Sequence, residues 1–394
     1  MRYERLPLAP HDFLERLETL RFGFGKWDLH VDGRNTVMDG ALVLTAEEHR
    51  AAVHAAEDLA RAAAGARRRL QDDPEDARRL GVPAEVAEAA AAEPRDRPVV
   101  TRIDLFRTRA GWQASEFNDD CPGGYNEALG LPAVFGDVVP AGLAVPGDLP
   151  EALAALLGDG PVGIAYATGY AEDLQVAELL VRLLHARGID TVAASPAHLE
   201  TDGPCVTLLG RPVATVLRFF PSEWLPLLPN WGTWRRLAAS GAALVNPLAA
   251  ALTQSKAIHL WLREHGDASV RRYLPETSML DEVTAQSALQ RPHAHVLKPA
   301  FGRMAEGVVL GAACPPRLWR KRVKGALLER RTRPYVVQRK FDPVPVETGA
   351  GTAGTACLGA YVVDGRFAGY YSRFARGPLV AYDASNVLTL VETA

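Results

Sequence analysis

Cysteine, lysine and long apolar runs are all scarce in this sequence of 394 residues. The four cysteines show no CxxC spacing, which argues against a disulfide framework and against a zinc knuckle. No apolar run reaches the roughly 18–20 residues of a membrane span. Charges interrupt the N-terminus where a signal peptide has its apolar core. We therefore expect a cytoplasmic protein that has no membrane partner.

The chain also lacks a strong excess of either charge. It has 44 basic and 47 acidic residues, which give a net charge of −3. This balance does not indicate a nucleic-acid-binding protein, and the basic stretch 317–333 has the pattern of a solvated helix. Length and composition are instead typical of a globular protein with two or three cores, and they leave the oligomeric state open.

The order of patterns along the chain divides it into four segments. Residues 1–97 are predicted to be mainly helical, and residues 98–150 to begin with a β-hairpin. Residues 151–245 have the strand–helix–strand pattern of an α/β unit with a right-handed crossover. Residues 246–394 are predicted to form a further unit of helices and strands. No GxGxxG motif follows the first strand of the α/β unit, so a dinucleotide fingerprint is absent.

Local signals place several helices and turns within these segments. Thr45 and Glu48 form a capping-box pattern that opens a helix reaching about Leu70. The pair Asp364-Gly365 is a strong hairpin turn signal near the C-terminus. Further helices are expected at 83–92, 252–266, 279–290 and 316–329.

The hairpin within 98–118 carries the strongest chemical pattern. With 109–111 as a three-residue loop, Asp104 falls opposite Glu116, and Arg102 falls opposite Asn118. Directly opposed side chains lie about 4.5–5.5 Å apart, so the two carboxylates should repel each other unless a cation lies between them. Oxygen ligands of this kind suit Mg²⁺, which fills its remaining positions with water and phosphate oxygens. The alternative is a solvated strand face on which Arg102 neutralises the acids.

The rarity of lysine gives a second, weaker signal. Only six of the 44 basic residues are lysine, and a lysine kept in so arginine-rich a sequence indicates a need for a compact ammonium group. Lys256 is predicted on the helix 252–266. Lys298 ends a strand and precedes a loop with Gly302 and Gly307, an arrangement that can cover a triphosphate. A plain β-hairpin with a solvent-facing lysine is the alternative.

Other candidates carry less specific patterns. Arg373 lies in the aromatic strand GYYSRF, where a packed arginine could stabilise a transferring phosphoryl group or simply pair with a surface acid. His293 and His295 form an HxH pair without an evident third ligand, which favours ordinary core or surface histidines. Cys121 has no marked base or nucleophile elbow near it, and no GxSxG or HExxH motif occurs.

Taken in order, these segments resemble the glutathionylspermidine synthase-like, circularly permuted branch of the ATP-grasp ligases over nearly the whole chain. The most specific part is TRIDLFRTRAGWQASEFNDDCPGG, which is similar to the family's Arg-x-Asp and Glu-x-Asn at the same separation. The resemblance implies an α/β (α+β) protein with a circularly permuted ATP-grasp fold. It further implies a central Rossmann-like pre-ATP-grasp domain and an N-terminal helical segment.

The same resemblance implies a role for each candidate residue. The phosphate-contacting and catalytic arginines would be Arg102 and Arg373. The Mg²⁺ ligands would be Asp104, Glu116 and Asn118. The ATP-binding residues would be Lys256, Lys298, Gly302, Gly307 and, at the adenine hinge, Gln338.

The activity implied is ATP-dependent ligation of a carboxylate to an amine through an acylphosphate, on an amino acid, small peptide or polyamine-type substrate. Two alternatives stay open: a phosphotransferase of the same fold, and a non-catalytic ATP-binding partner protein. The phosphate loop GRMAEG is longer than the family's usual Gly-Arg-Glu-Gly. Cys121 and Gly123 stand where related enzymes place small hydroxyl residues to meet glutathione, which indicates another acid. Asp119 and Asp120 would attract an amine or cap the turn.

Overall fold

The structure, a computed structural model, describes residues 1–31, 33–203, 205–302, 305–349 and 351–393. The helices, α1 to α13 in chain order, span Pro10–Gly23, Ala46–Asp72, Pro74–Arg79, Ala84–Ala91, Tyr125–Phe135, Leu149–Leu157, Ala171–His185, Trp231–Ser240, Ala251–Gln254, Ile258–His265, Ala268–Arg271, Glu282–Gln290 and Pro316–Glu329. The strands, β1 to β22 in chain order, span Arg2–Arg5, His30–Val31, Arg34–Asn35, Val37–Leu44, Val100–Thr108, Gly111–Asn118, Leu143–Ala144, Val162–Tyr166, Thr191–Ala194, Leu199–Asp202, Cys205–Leu208, Arg211–Pro212, Thr215–Phe219, Ala243–Val245, Thr277–Met279, His295–Pro299, Val309–Leu310, Tyr335–Arg339, Val346–Glu347, Ala353–Val363, Arg366–Ala375 and Ser385–Glu392. Within these ranges, no helix combines the length and the apolar character needed to cross a membrane.

A nine-stranded sheet joins the two ends of the chain to the hairpin. Its main order is β1-β4-β22-β21-β20-β5-β6, with β19 and β7 pairing at the side. Segment 1–97 contains the four helices α1 to α4, and it also contributes strands β1 and β4 to this sheet. Strand β4 is buried on both faces: Leu42 and Leu44 pack in the cluster with α2, and Ala41 and Val43 in the cluster with α1. A strand of this kind lacks the alternation of polar and apolar residues that identifies a half-buried strand.

The long helix α2 covers one face of this sheet. The capping box predicted at its start is present: the Glu48 amide donates to Thr45 Oγ1 over 3.1 Å, and the Thr45 amide donates to Glu48 Oε2 over 3.1 Å. Alanines line the buried side of the helix, and small side chains let it lie close to the sheet. The helix therefore supports strand β5 from behind.

The central segment forms the predicted Rossmann-like unit. Its four parallel strands lie in the order β14-β13-β8-β9, and α7 connects β8 to β9. Leu180 and Leu184 of α7 pack on Val162 and Ile164 of the sheet. Ligands of such open parallel sheets bind beyond the carboxyl ends of the strands. Here those ends face the hairpin β5–β6.

The C-terminal segment adds a smaller antiparallel sheet, in the order β15-β18-β16-β17, packed under α12 and α13. The helix expected over 252–266 is interrupted, since α9 ends at Gln254 and α10 begins at Ile258. Two tertiary bonds replace the helical ones at the break. Ser255 Oγ donates to the Leu80 carbonyl over 2.5 Å, and the Lys256 amide donates to the Ala300 carbonyl over 2.9 Å. Lys256 therefore lies in a turn rather than on a helix.

Candidate active site

In the hairpin β5–β6, the polar residues pair as predicted, although the turn is one residue shorter than predicted. Arg102 pairs with Asn118, and Asp104 pairs with Glu116. The loop has two residues, not three, because Thr108 pairs with Gly111. A register shift just after Asp104 compensates for the shorter turn. Such a bulge adds one residue to one strand and locally bends it.

Asp104 lies at the centre of a buried ion-pair cluster. Its carboxylate accepts from Arg102 Nε over 2.7 Å and from Arg373 Nη2 over 2.7 Å, and only 1% of the residue is exposed. Strand β20 lies between β5 and β21 and presents Gly359 opposite Asp104. A Cβ at Gly359 would lie 2.8 Å from Arg102 Cδ, so the glycine leaves the space that the arginine occupies.

Arg102 is fixed by contacts on several sides. Its Nη1 donates to the Gly123 carbonyl over 2.6 Å, and its guanidinium lies 5.1 Å from the centre of the Tyr371 ring. Burial alone would lower the pKa of Arg102, but the Asp104 carboxylate outweighs burial and raises it. Arg102 is therefore a rigid, fully charged group beside the cavity described below.

Two buried lysines approach the other strand of the hairpin. Lys256 Nζ lies 3.3 Å from Glu116 Oε2, and Lys298 Nζ donates to the Ser115 carbonyl over 2.9 Å. Burial lowers the pKa of Lys298 to about 8, against the opposing effect of Glu116. Burial would raise the pKa of Glu116, but Lys256 and Lys298 outweigh it, and the value falls to about 2.

This arrangement holds more positive than negative charge. Arg102, Arg373, Lys256 and Lys298 are each at most 9% exposed, and they surround the two carboxylates Asp104 and Glu116. Buried charges are costly unless they are paired. Four cations against two carboxylates leave an excess of positive charge, which favours binding of an anion.

Arginine and lysine side chains contact the two carboxylates that were predicted to bind Mg²⁺. Both Asp104 oxygens accept from arginines, and Glu116 contacts Lys256, so protein cations neutralise the paired acids. Asp104 and Arg102 are buried, so this is not the solvated strand face of the alternative interpretation. In the described ranges, no three Asp, Glu, His or Cys side chains cluster as a metal site would require. Glu116 and Asn118 nevertheless line the cavity with oxygen donors of the type that Mg²⁺ prefers. The Mg²⁺ site stays a prediction.

Of the three other residues predicted to bind ATP, only Gly302 lines the cavity. Gly302 lines the same cavity as Arg102 and Arg373, whereas Gly307 is an exposed turn residue with φ +69°. Positions 303 and 304 of the predicted phosphate loop lie outside the described residues. Gln338 is buried and donates to Thr277 Oγ1 over 3.1 Å. Gln338 pairs with Val296, which is two positions before Lys298 on strand β16, so Gln338 and Lys298 face the same side of the sheet.

The lower-ranked candidates lie apart from the charged cluster or at its rim. His293 is exposed in a short turn, and His295 Nδ1 contacts the Arg291 carbonyl at 2.9 Å, so neither has the environment of a metal ligand. Cys121 lines the cavity. Asp120 is buried and lines the cavity, and it accepts from Arg218 over 2.6 Å, from Ser222 Oγ over 2.6 Å and from the Ser222 amide over 2.7 Å. That network fixes the loop after β6.

The cavity of about 220 Å³ lies between the hairpin and the carboxyl ends of the parallel strands. Its far wall is acidic, with Glu172 and Asp173 from the start of α7 and Glu223 from the turn after β13. Lys26 and Glu127 form a buried ion pair of 2.7 Å at its edge.

Sequence reasoning did not place these wall residues in the site. Lys26 is one of the six lysines, so the rarity argument applied to it as well. Tyr371 is two positions before Arg373 and therefore shares its strand face. No sequence pattern distinguished Glu172, Asp173 and Glu223 of the acidic wall from other acidic residues.

Comparison with known proteins identifies the family of the chain. A family model described as glutathionylspermidine synthase preATP-grasp matches residues 9–392. The chain belongs to this family. No curated protein is similar enough in sequence to match it.

Solved structures extend the comparison for this glutathionylspermidine synthase preATP-grasp protein. The apo form of GSS30, a glutathione synthetase-like effector from Globodera pallida, has 13% identity and a TM-score of 0.64, covering 98% of this chain and 99% of its own. A putative gamma-glutamylcysteine synthetase from Methylobacillus flagellatus KT has 13% identity and a TM-score of 0.41, covering 82% and 84%. D-cycloserine synthetase DcsG has 13% identity and a TM-score of 0.38, covering 58% and 72%. The fold is a pre-ATP-grasp domain joined to a circularly permuted ATP-grasp domain.

Proposed function

We propose that this protein is an ATP-dependent carboxylate–amine ligase that forms an amide through an acylphosphate and releases ADP and phosphate. The observation that carries the proposal is the excess of buried positive charge around Asp104 and Glu116, at the end of a cavity with an acidic far wall. The cations suit the phosphates of ATP. Membership of a family named for a synthase supports the same reaction class.

The buried lysines would bind the phosphates of ATP. Lys298 Nζ donates to an uncharged backbone carbonyl, so a negatively charged phosphate oxygen would be a stronger acceptor and can take its place. Binding a polyanion also stabilises the protonated form of Lys298, whose pKa burial has lowered to about 8. Gly302 and Gln338 are the described residues that we assign to the loop and to the adenine end of the same nucleotide.

The arginine pair would serve the phosphoryl-transfer step. A carboxylate oxygen of the acid attacks the γ-phosphorus, the bond from that phosphorus to ADP breaks, and an acylphosphate forms. Arg102 and Arg373 are held in place by Asp104, so they neutralise the charge of the transferring group without reorganising. Mg²⁺ held by Glu116 and Asn118, with Asp104, would supply further neutralisation of phosphate charge.

The acidic wall would receive the amine. Glu172, Asp173 and Glu223 line the cavity from the α/β unit, whereas the arginines line it from the nine-stranded sheet, so a cationic amine is favoured over a second acid on the α/β side. The bound ammonium first loses a proton, so that its nitrogen has a lone pair to attack the acyl carbon. The phosphate then leaves, and the nitrogen loses a second proton as the amide forms. Two walls of opposite charge thus arrange the acid near the arginines and the amine near the carboxylates.

The test is to incubate the protein with Mg-ATP and pooled amino acids, short peptides and polyamines, and to measure ADP and the masses of new products. The proposal requires a product at the mass of acid plus amine minus water. This product should vanish in Lys298→Ala and persist in the matched surface variant Lys324→Ala, since Lys324 is exposed on α13.

Other results of this test would assign the protein differently. ADP formed with a phosphorylated acid, and no amide with any amine, would identify the phosphotransferase alternative. ATP that binds but is never consumed with any pool would identify the non-catalytic alternative.

A further inference from the structure

A second cavity lies behind the end of the hairpin, on the opposite side from the active site. It has a volume of about 290 Å³ and lies between α2, the segment before β5 and the turn between β20 and β21. Thr101 and Asp119 face it, whereas Arg102 and Asn118 line the first cavity. Successive residues of a strand point to opposite faces, so the two cavities are separated by the strands themselves.

Arginine side chains dominate the walls of this second cavity. They come from two elements, and they are Arg61, Arg67, Arg68 and Arg97. Two of them are neutralised locally, since Arg61 Nη1 lies 2.8 Å from Asp58 Oδ1 and Arg68 Nη1 lies 2.7 Å from Asp96 Oδ1. The Asp364 carboxylate of the turn also lines the cavity.

Arg97 is the residue that points to a ligand. Its Nε and Nη2 atoms are buried without a hydrogen-bond partner in the part of the chain that the structure describes, and its Nη1 donates to the Ala242 carbonyl. A buried guanidinium with unmet donors is unfavourable unless an acceptor meets them. The described ion pairs give Arg97 no carboxylate partner.

Arg67 lines the same cavity, and its ion pair and hydrogen bond are both long. Its side chain is 12% exposed, and its Nη1 lies 3.5 Å from Asp119 Oδ2 and 3.4 Å from Thr253 Oγ1. Burial lowers the pKa of Arg67, against the opposing effect of Asp119. Asp119 already accepts from the hydroxyls of Thr101 and Thr253, so it is shared among several donors.

We propose that Arg67 and Arg97 form a second anion site, which binds a phosphate group, either as the free ion or as a phosphomonoester. The planar guanidinium donors match the oxygens of a tetrahedral oxyanion. The alanine side chains of α2 that line the cavity leave room for such a group. This site does not depend on the proposed ligase activity, because none of its residues lines the active-site cavity.

The test is calorimetric titration with inorganic phosphate at constant ionic strength, in a Lys298→Gln background that weakens phosphate binding at the active site. One equivalent of phosphate should bind. Adding Arg97→Gln should weaken this binding at least tenfold, and adding Arg236→Gln, which changes an exposed arginine on α8, should leave it unchanged. Tighter binding of glycerol phosphate would identify a monoester, rather than the free ion, as the occupant.

A second variant guards against misfolding of Arg97→Gln. Arg67→Lys keeps the charge beside Asp119 but removes the planar fork, and it should weaken phosphate binding while the thermal unfolding curve stays cooperative. The proposal is overturned if the Lys298→Gln protein binds no phosphate, or if it binds phosphate equally well with and without the Arg97 change.

Discussion

Asp104 and Arg373 stand 269 positions apart in the sequence and form a buried ion pair, with Nη2 and Oδ2 2.7 Å apart. The strand β20 separates their strands, so the pair exists only when the C-terminal hairpin has joined the sheet of β5. Arg102 contacts the same carboxylate from the other side. One aspartate thus fixes the two arginines that the proposed chemistry uses.

Replacing Arg373 with lysine should slow the reaction more than it harms the fold. Lysine keeps the charge but loses the planar donors, and Asp104 retains Arg102 as a partner. We expect ADP formation to fall by roughly 10²–10³-fold, the usual effect of losing one positioned donor to a developing negative charge. Steady-state ADP release at saturating ATP measures this. A rate within a factor of three of the unmodified protein would contradict the role of Arg373.

ATP binding should take up a proton near pH 8.5. Burial lowers the pKa of Lys298 to about 8 from an ordinary 10.5, so in the free protein the ammonium has lost much of its charge at that pH. Phosphates nearby favour the charged form and draw the proton back. Calorimetry in buffers of different ionisation enthalpy measures the uptake. It should disappear in Lys298→Gln and persist in Lys324→Gln; equal uptake in both variants would contradict this.

The ion pair of Glu116 should stabilise the fold above about pH 4.5. Lys256 and Lys298 lower its pKa to about 2 in the folded protein, against the effect of burial, from an ordinary 4.5. A lowered carboxyl pKa contributes stability that is present above the unfolded value and is lost as pH falls through 4.5 towards 2. Urea unfolding should therefore show the difference between unmodified protein and Glu116→Gln shrinking over that interval. Glu88→Gln, at an exposed position of α4, is the control and should show no such trend.

Gly359→Ala should damage the site through Arg102. A Cβ there would lie 2.7 Å from the Tyr371 carbonyl oxygen and 2.8 Å from Arg102 Cδ, so the strands or the arginine must move. We expect ADP formation to fall at least tenfold, together with a loss of about 1–3 kcal/mol in unfolding free energy. Gly325→Ala on α13 meets no atom within 4 Å and should be neutral or slightly stabilising. Equal activity of the two alanine variants would contradict the account of Arg102.

Local sequence patterns predicted much of the fold. The capping box at Thr45, the turn at Asp364 and the pairing of Asp104 with Glu116 depend on residues close in sequence, and the structure confirms them. The hairpin pairing was correct for a partly wrong reason, since a bulge offsets a shorter turn. Local turn chemistry does not determine such compensation.

Contacts between distant segments account for what the sequence did not predict. The helix over 252–266 breaks because Ser255 bonds to Leu80 and the Lys256 amide bonds to Ala300, and no local signal reports either partner. Arg102 also donates to the Gly123 carbonyl, a contact beyond the hairpin that no sequence pattern predicted. The roles assigned to the predicted ligands of ATP and Mg²⁺ remain proposals.

In the proposed reaction, a carboxylate attacks the γ-phosphorus of ATP beside Arg102 and Arg373. Acids from the active pool with ¹⁸O in the carboxylate report on this attack when the released phosphate is analysed by mass spectrometry. An acylphosphate route transfers one ¹⁸O to each phosphate, and the rate at which labelled phosphate forms should fall in Arg373→Lys. Phosphate released without ¹⁸O during amide formation would contradict the account.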